Sequence, residues 1–290
     1  MAVMTQEERI AADRRVREQL GLPMTGANTT GWICEQARQA EREILGAQTY
    51  CFGEIWGRPG LDIQTRCHIT IAVLTSRYQH GPLADYVGAA IRVGIEPSDV
   101  LENMLQLSSY TGITAVSEAM NVARRVFGEL DLATRSDEEL EPTYAMDRDD
   151  RLAAVGRIVR DVGIGRMGLE PDAPPFAFLK GGVWTEKARD LDVEEDFNRI
   201  NGEYGYGECW GRQALGYRLR SFITMAGLQA MALNEQLHFH INNAINLGIT
   251  GEEVHECLAH VGAYCGGANW RNAANVARDI FLQRGIVEPA

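Results

Sequence analysis

The chain has 290 residues, 45% hydrophobic and 23% charged, with a formal net charge of −12. This balance suits a soluble globular protein with room for two ordinary domains, each able to bury its own core. The acid excess argues against a nucleic-acid partner, which would call for a basic surface, but it leaves open a small anionic substrate held by a few local arginines.

The amino-terminal Met-Ala-Val-Met-Thr-Gln-Glu-Glu-Arg lacks the apolar core of a secretory leader. Ile10, Val16 and Leu20, set among Arg and Glu, predict an amphipathic helix. Residues 62 to 78 carry Ile63, Cys67, Ile71 and Leu74 without a proline and read as a second helix. The apolar run from Ile69 to Leu74 is far too short to cross a bilayer. Residues 83 to 93 form a helix that stops at Gly94. Pro97-Ser98-Asp99 starts another, with Val100, Met104 and Leu107 on one face, and Thr114 to Leu130 supplies a further one. The acidic run Asp137-Glu138-Glu139-Leu140-Glu141-Pro142 reads as a solvated linker. No period-two run with hairpin turns occurs, so the expected fold class is all-α, with five to seven helices per repeat unit.

The chain also repeats itself. Glu54-Ile55-Trp56-Gly57-Arg58 returns as Glu208-Cys209-Trp210-Gly211-Arg212, so position 54 becomes 208, an offset of 154. The register holds without a gap to Phe127 and Phe281, with about a third of positions identical. A weaker match joins Glu7 to Ala12 with Asp149 to Ala154. Its smaller offset of 142 implies a 12-residue insertion in the second copy, between Gly168 and Asn201, where prolines and a Gly pair mark a loop. The expected domains are residues 1–140 and 141–290.

Six cysteines, Cys34, Cys51, Cys67, Cys209, Cys257 and Cys265, show neither Cys-x-x-Cys nor zinc-ribbon spacing. They read as small buried hydrophobes in a reduced, cytoplasmic setting. No Gly-rich phosphate loop, Gly-x-Ser-x-Gly or dinucleotide fingerprint appears; Gly205-Tyr206-Gly207 lacks the third glycine and its strand-to-helix setting.

Several ordered pieces carry a resemblance. They are Trp56 to Asp62, then Thr65-Arg66 and Ile69 to Ala72; the helix Leu237 to Leu247 ending at Gly248-Ile249-Thr250; and Glu252 to Glu256 with Val261 to Gly266. Together they resemble the carboxymuconolactone decarboxylase family, within the alkylhydroperoxidase D-like superfamily. The resemblance implies two tandem helical domains of that type. It also implies a cofactor-independent enzyme and assembly into rings, here a trimer of two-copy chains imitating a hexamer. The thiol-redox branch of the superfamily is excluded: its two cysteine positions fall on Leu233 and Gln236 in copy two, and on Gln79 and Pro82 in copy one. Cofactor-free lactone decarboxylation is left. It needs a donor for a developing oxyanion, a proton source and a partly dry pocket.

Candidate residues follow from the family's His position, which is His240. Its helix also carries His238, Asn242, Asn243 and Asn246, an unusual load of poor helix formers that a pocket face would explain. The alternative is a hydrated interface. Copy one has Tyr86 in place of His240, with His80 nearby. Glu208 and Arg212, like Glu54 and Arg58, could orient the imidazole and grip an anion, or could form plain i, i+4 ion pairs. Trp210 and Trp56 are candidate pocket walls. Tyr110 and Tyr264 read as helix-end packing, and no metal-ligand pattern is found. The expected catalytic set is His240, Glu208 and Arg212. The expected substrate-binding set is Trp210, His238, Asn243, Tyr86, Glu54, Arg58, Trp56 and His80. The expected substrate is a carboxylated lactone or similar enolisable acid. A cofactor-free isomerase, dehydratase or cyclase, and a non-catalytic oligomeric binding protein, are the alternatives. No cofactor, nucleic acid or membrane partner is expected.

Overall fold

A computed structural model describes residues 4–22, 49–132, 147–163, 196–197 and 199–288. The expected linker around residues 137–142 and most of the expected insertion lie outside them. The described residues are helical, with no strand. None of their helices is long and apolar enough to cross a membrane.

Copy one runs through α1 (Gln6–Leu20), a first π-helix (Cys51–Trp56), α2 (Ile63–Ser76), α3 (His80–Arg92), α4 (Pro97–Gln106), the short α5 (Ser108–Thr111) and α6 (Ile113–Glu129). Copy two runs through α7 (Arg148–Asp161), a second π-helix (Asn201–Trp210), α8 (Tyr217–Ala230), α9 (Asn234–Asn246), α10 (Gly251–Cys265) and α11 (Gly267–Gln283). Local chemistry sets these bounds. Asp62 caps α2 by accepting from the Thr65 N–H, and Thr250 with Glu253 forms a reciprocal capping box on α10. Gly94 and Gly248 follow α3 and α9 at φ +86° and +80°, which a side chain would strain.

The two π-helices are what periodicity did not reveal. Each lies against the helix that opens its copy, α1 or α7, and that approach depends on one glycine. A Cβ at Gly53 would lie 2.5 Å from the Arg9 carbonyl oxygen, and one at Gly207 would lie 2.9 Å from that of Arg151. The Gly-x-Gly string around Tyr206 is thus a crossing point for backbone, not a phosphate loop.

α2 and α8 pack on each other at the centre, and both are buried along most of their length. One continuous core joins the copies. A smaller cluster of Val155, Ile158, Val162, Tyr206 and Trp210 sits under α7.

Candidate functional site

Each copy completes the other. Glu102 of α4 in copy one receives Arg212 and Arg220 of copy two, with Arg220 Nη2 3.1 Å away and Arg212 Nε 2.7 Å away. By the same exchange, Glu256 of α10 receives Arg58 and Arg66, at 2.6 and 3.0 Å. Arg66 and Arg220 are fully buried and also bind backbone carbonyls: Arg58 and Leu61 for the first, Arg212 and Leu215 for the second. Desolvation pushes the Glu256 carboxyl up, but the two guanidinium groups outweigh it and hold it below the usual carboxylate range.

These pairs correct one expectation. Glu54 and Glu208 do not bond the arginines four residues on. Glu54 pairs with Arg9 of α1, and Glu208 with Arg151 of α7 at 3.2 Å. The reason is local: each π-helix ends at its Trp, so Arg58 and Arg212 lie beyond the helix end and swing across to the other copy.

Beside each ion-pair cluster lies a set of aromatic rings centred on a tyrosine from the opposite copy. In the first set, Trp56 Nε1 donates to the Tyr264 hydroxyl at 2.9 Å, and the Tyr86 and Tyr264 hydroxyls are 2.7 Å apart. Tyr86 stacks on Trp56, and Phe52 stacks on the same indole. In the second, Trp210 Nε1 donates to the Tyr110 hydroxyl at 2.8 Å. His240 stacks on Trp210 with centroids 5.9 Å apart, and Tyr206 stacks on the same indole. Tyr110 and Phe239 meet the imidazole edge-on, each at 5.2 Å.

The two sets differ by a moved hydroxyl. Copy one has Phe52 and Tyr86 where copy two has Tyr206 and His240. In copy two the phenol hydrogen-bonded to the central Tyr110 therefore comes from the π-helix, through Tyr206. That exchange leaves the imidazole free of the job Tyr86 performs. His240 is 2% exposed, its Nδ1 has no hydrogen-bond partner, and burial alone pushes its pKa down to about 3. Burial likewise raises Tyr110 well above the ordinary phenol value.

His260 illustrates a histidine with a structural job. Its Nδ1 lies 3.2 Å from Arg66 Nη1, and its Nε2 lies 2.8 Å from Thr70 Oγ1. A guanidinium can only donate, so Nδ1 accepts and the ring proton sits on Nε2. In the second cluster Gln106 of copy one takes the same place, accepting from Arg220 at 2.7 Å and donating to Thr224 at 3.2 Å. A neutral imidazole and an amide are interchangeable there.

The polar face of α9 divides. Asn242 and Asn246 accept from Arg284 at 2.8 and 2.9 Å, so they tie the helix to the segment following α11. Asn243, 1% exposed, has no partner for either side-chain polar atom. It lies one turn from His240 on the same face. His238 is half-buried, about 200° around the helix from His240. His80 starts α3, its Nδ1 3.6 Å from a Glu118 carboxylate oxygen and about 9 Å along the helix from Tyr86. The structure therefore gathers His240, Asn243 and Trp210 in one place and Trp56 with Tyr86 in another. Glu54, Arg58, Glu208 and Arg212 serve ion pairs around them, and His80 and His238 stand apart. Tyr110, Glu102, Gln106 and Tyr206 join the second cluster, three of them from the opposite copy. Their signal in the sequence was the repetition of Glu102 as Glu256 and of Tyr110 as Tyr264. Among the described residues no three His, Cys, Asp or Glu side chains gather as metal ligands would. Cys51, Cys67 and Cys257 are buried thiols pushed up to about 12 by desolvation.

Comparison with known proteins agrees with this architecture. The sequence profile of the carboxymuconolactone decarboxylase family matches residues 46–125 and 195–279. The chain belongs to that family and carries its domain twice. A 4-carboxymuconolactone decarboxylase of Acinetobacter baylyi is 30% identical over 95 residues, which is 33% of this chain and 71% of that protein. An uncharacterized 15.0 kDa protein of Paracoccus denitrificans is 32% identical over 85 residues, 28% of this chain and 61% of its own length. A nitrosuccinic acid decarboxylase of Metarhizium robertsii is 33% identical over 64 residues, 22% of this chain and 45% of that protein.

Proposed function

We propose that the protein is a cofactor-independent, decarboxylase-like lyase acting on a carboxylated lactone or similar enolisable acid at the His240 cluster. The family and the two decarboxylases among its relatives support the reaction class. The observation that carries the site is the buried, unpartnered His240 Nδ1. An orphaned buried polar atom costs about 1–3 kcal/mol, so a protein that keeps one has a use for it.

The bond between the carboxyl carbon and its neighbour breaks, carbon dioxide leaves, and the electron pair spreads into the conjugated carbonyl as an enolate. A proton then adds to carbon, so one proton is consumed per turnover. Apolar walls favour loss of the carboxylate charge. In the free protein His240 is neutral at pH 7. The ring acts first as a hydrogen-bonding group; an anion beside it raises its basicity and makes it the proton carrier. Arg212, with Glu102, and Glu208, with Arg151, hold the second π-helix and so the Trp210 wall. Tyr86, already bonded to Tyr264, leaves copy one a structural partner.

The test is turnover of a panel of carboxylated butenolides and β-keto acids, read as carbon dioxide release. His240→Gln should lower kcat/KM by about a hundredfold or more at unchanged fold, and Tyr86→Phe should not. Full activity in His240→Ala overturns the assignment. The enclosure of His240 among rings favours a second reading, a non-catalytic small-molecule binding protein; ligand binding with no carbon dioxide from any acid would select it. A cytoplasmic setting and a trimer of two-copy chains belong to the same proposal, and light scattering showing a dilute monomer would remove the trimer.

A further inference from the structure

His240 and Asn243 are a matched pair. Both are more than nine-tenths buried, both sit on one face of α9 one turn apart, and together they present three polar atoms without partners. Asn243 lies between Phe239 and Leu247 on the stripe of α9 that packs against the small cluster of Val155, Ile158 and Trp210. Copy one, at the same two positions, has the bonded Tyr86 and the apolar Ala89. The polar pair is thus peculiar to copy two and has no counterpart in the repeat.

Among the described residues no fixed cation faces it. Arg212 and Arg220 turn to Glu102. On α7, Arg151 is engaged by Glu203 and Glu208, while Val155 and Ile158, with Val162 just past the helix end, are buried in the cluster. Arg284 is engaged by Asn242 and Asn246. From α5 and the second π-helix, Tyr110, Tyr206 and Cys209 are kept neutral by burial. An anion entering among these residues meets no fixed positive charge, and the imidazole, whose ordinary pKa lies nearest 7, is the group there that an adjacent carboxylate can turn into a proton acceptor.

We propose that His240 and Asn243 form a receptor, one per chain, for a carboxylate that enters together with a proton from solvent. The protonated Nδ1 then donates to one carboxylate oxygen, the Asn243 Nδ2 donates to the other, and Asn243 Oδ1 remains to accept from a hydroxyl of the ligand. This rests on the reading of the site as one for carboxylated acids. It supplies the proton that reaction consumes before the chemistry begins.

The probe is paraconate, a saturated lactone with one carboxylate that cannot decarboxylate to a stabilised enolate. Its binding is measured by titration calorimetry at one pH near 7.5 in Pipes and in Tris, whose ionisation heats differ. The expected result is about one proton taken up per ligand and one ligand per chain. His240→Gln should abolish the uptake. Asn243→Ala should weaken binding by about tenfold or more while uptake persists. The neutral methyl ester should bind without uptake. Paraconate binding with no proton uptake, uptake unchanged by His240→Gln, two sites per chain, or no binding at millimolar concentration overturns the proposal. Carbon dioxide release from another acid without proton uptake at the binding step would sink the receptor and leave the lyase standing. Uptake without turnover of any acid would do the reverse.

Discussion

At the scale of single residues, polar atoms are the informative ones, because each buried one is either bonded or kept for a purpose. Asn242 and Asn243 are neighbours of the same type with opposite status. Asn242→Ala removes the bond its amide oxygen accepts from Arg284 and the one its amide nitrogen donates to the His238 carbonyl, and should cost about 1–2 kcal/mol. Asn243→Ala installs the residue copy one uses and should cost less or nothing, since no bond is lost. Chemical denaturation of both variants checks the contrast, and an equal loss would contradict it. The histidines make a second prediction. His68 is pushed down to about 4 and His240 to about 3 by burial, and His260 well below its ordinary value. Each is neutral in the folded chain and protonates near pH 6.5 once unfolded, so the unfolded state binds more protons. Stability is therefore full above about pH 6.5 and falls as pH drops toward 4, by at most about 1.4 kcal/mol per pH unit for each histidine. Denaturation midpoints at pH 7, 6 and 5 should decline, and His68→Phe, which copies Phe222, should flatten the slope.

At the scale of elements, the π-helices decide how closely α1 and α7 approach. Gly53→Ala and Gly207→Ala push a methyl group against backbone and should each cost about 2–3 kcal/mol. Gly88→Ala, in mid-α3 with open space around it, should instead gain up to about 1 kcal/mol from helix propensity. Melting temperatures of the three variants test this directly. The α-helices of copy one were legible beforehand because apolar spacing, Asp62, Pro97 and Gly94 all act locally. The expected helix over 62–78 is Ile63–Ser76, and that over 83–93 is His80–Arg92. The π-helices were not legible, since their widened turn answers to a crossing helix tens of residues away in the chain: Arg9 against Gly53, and Arg151 against Gly207.

At the scale of the whole molecule, the copies are bound by exchanged ion pairs. Glu102→Gln leaves the fully buried Arg220 without its counter-charge and should cost about 3–5 kcal/mol, with Glu256→Gln its mirror through Arg66. Urea denaturation should show one cooperative transition in the parent, because one core spans both copies. Two separate transitions would contradict that reading.

The sequence alone determined the doubling, the helical class and the family, because repetition, apolar periodicity and ordered motifs are properties of the chain read in line. It also singled out His240, through the family's His position and the polar helix around it. Only the tertiary structure decided that Arg58 and Arg212 reach Glu256 and Glu102, that a tyrosine from each copy anchors the tryptophan of the other, and that Tyr206 relieves His240 of Tyr86's bond. The arginine and tryptophan pairings between the copies span 100 to 208 residues of chain. Burial and charge balance at such distances depend on how helices cross, and no local spacing records that.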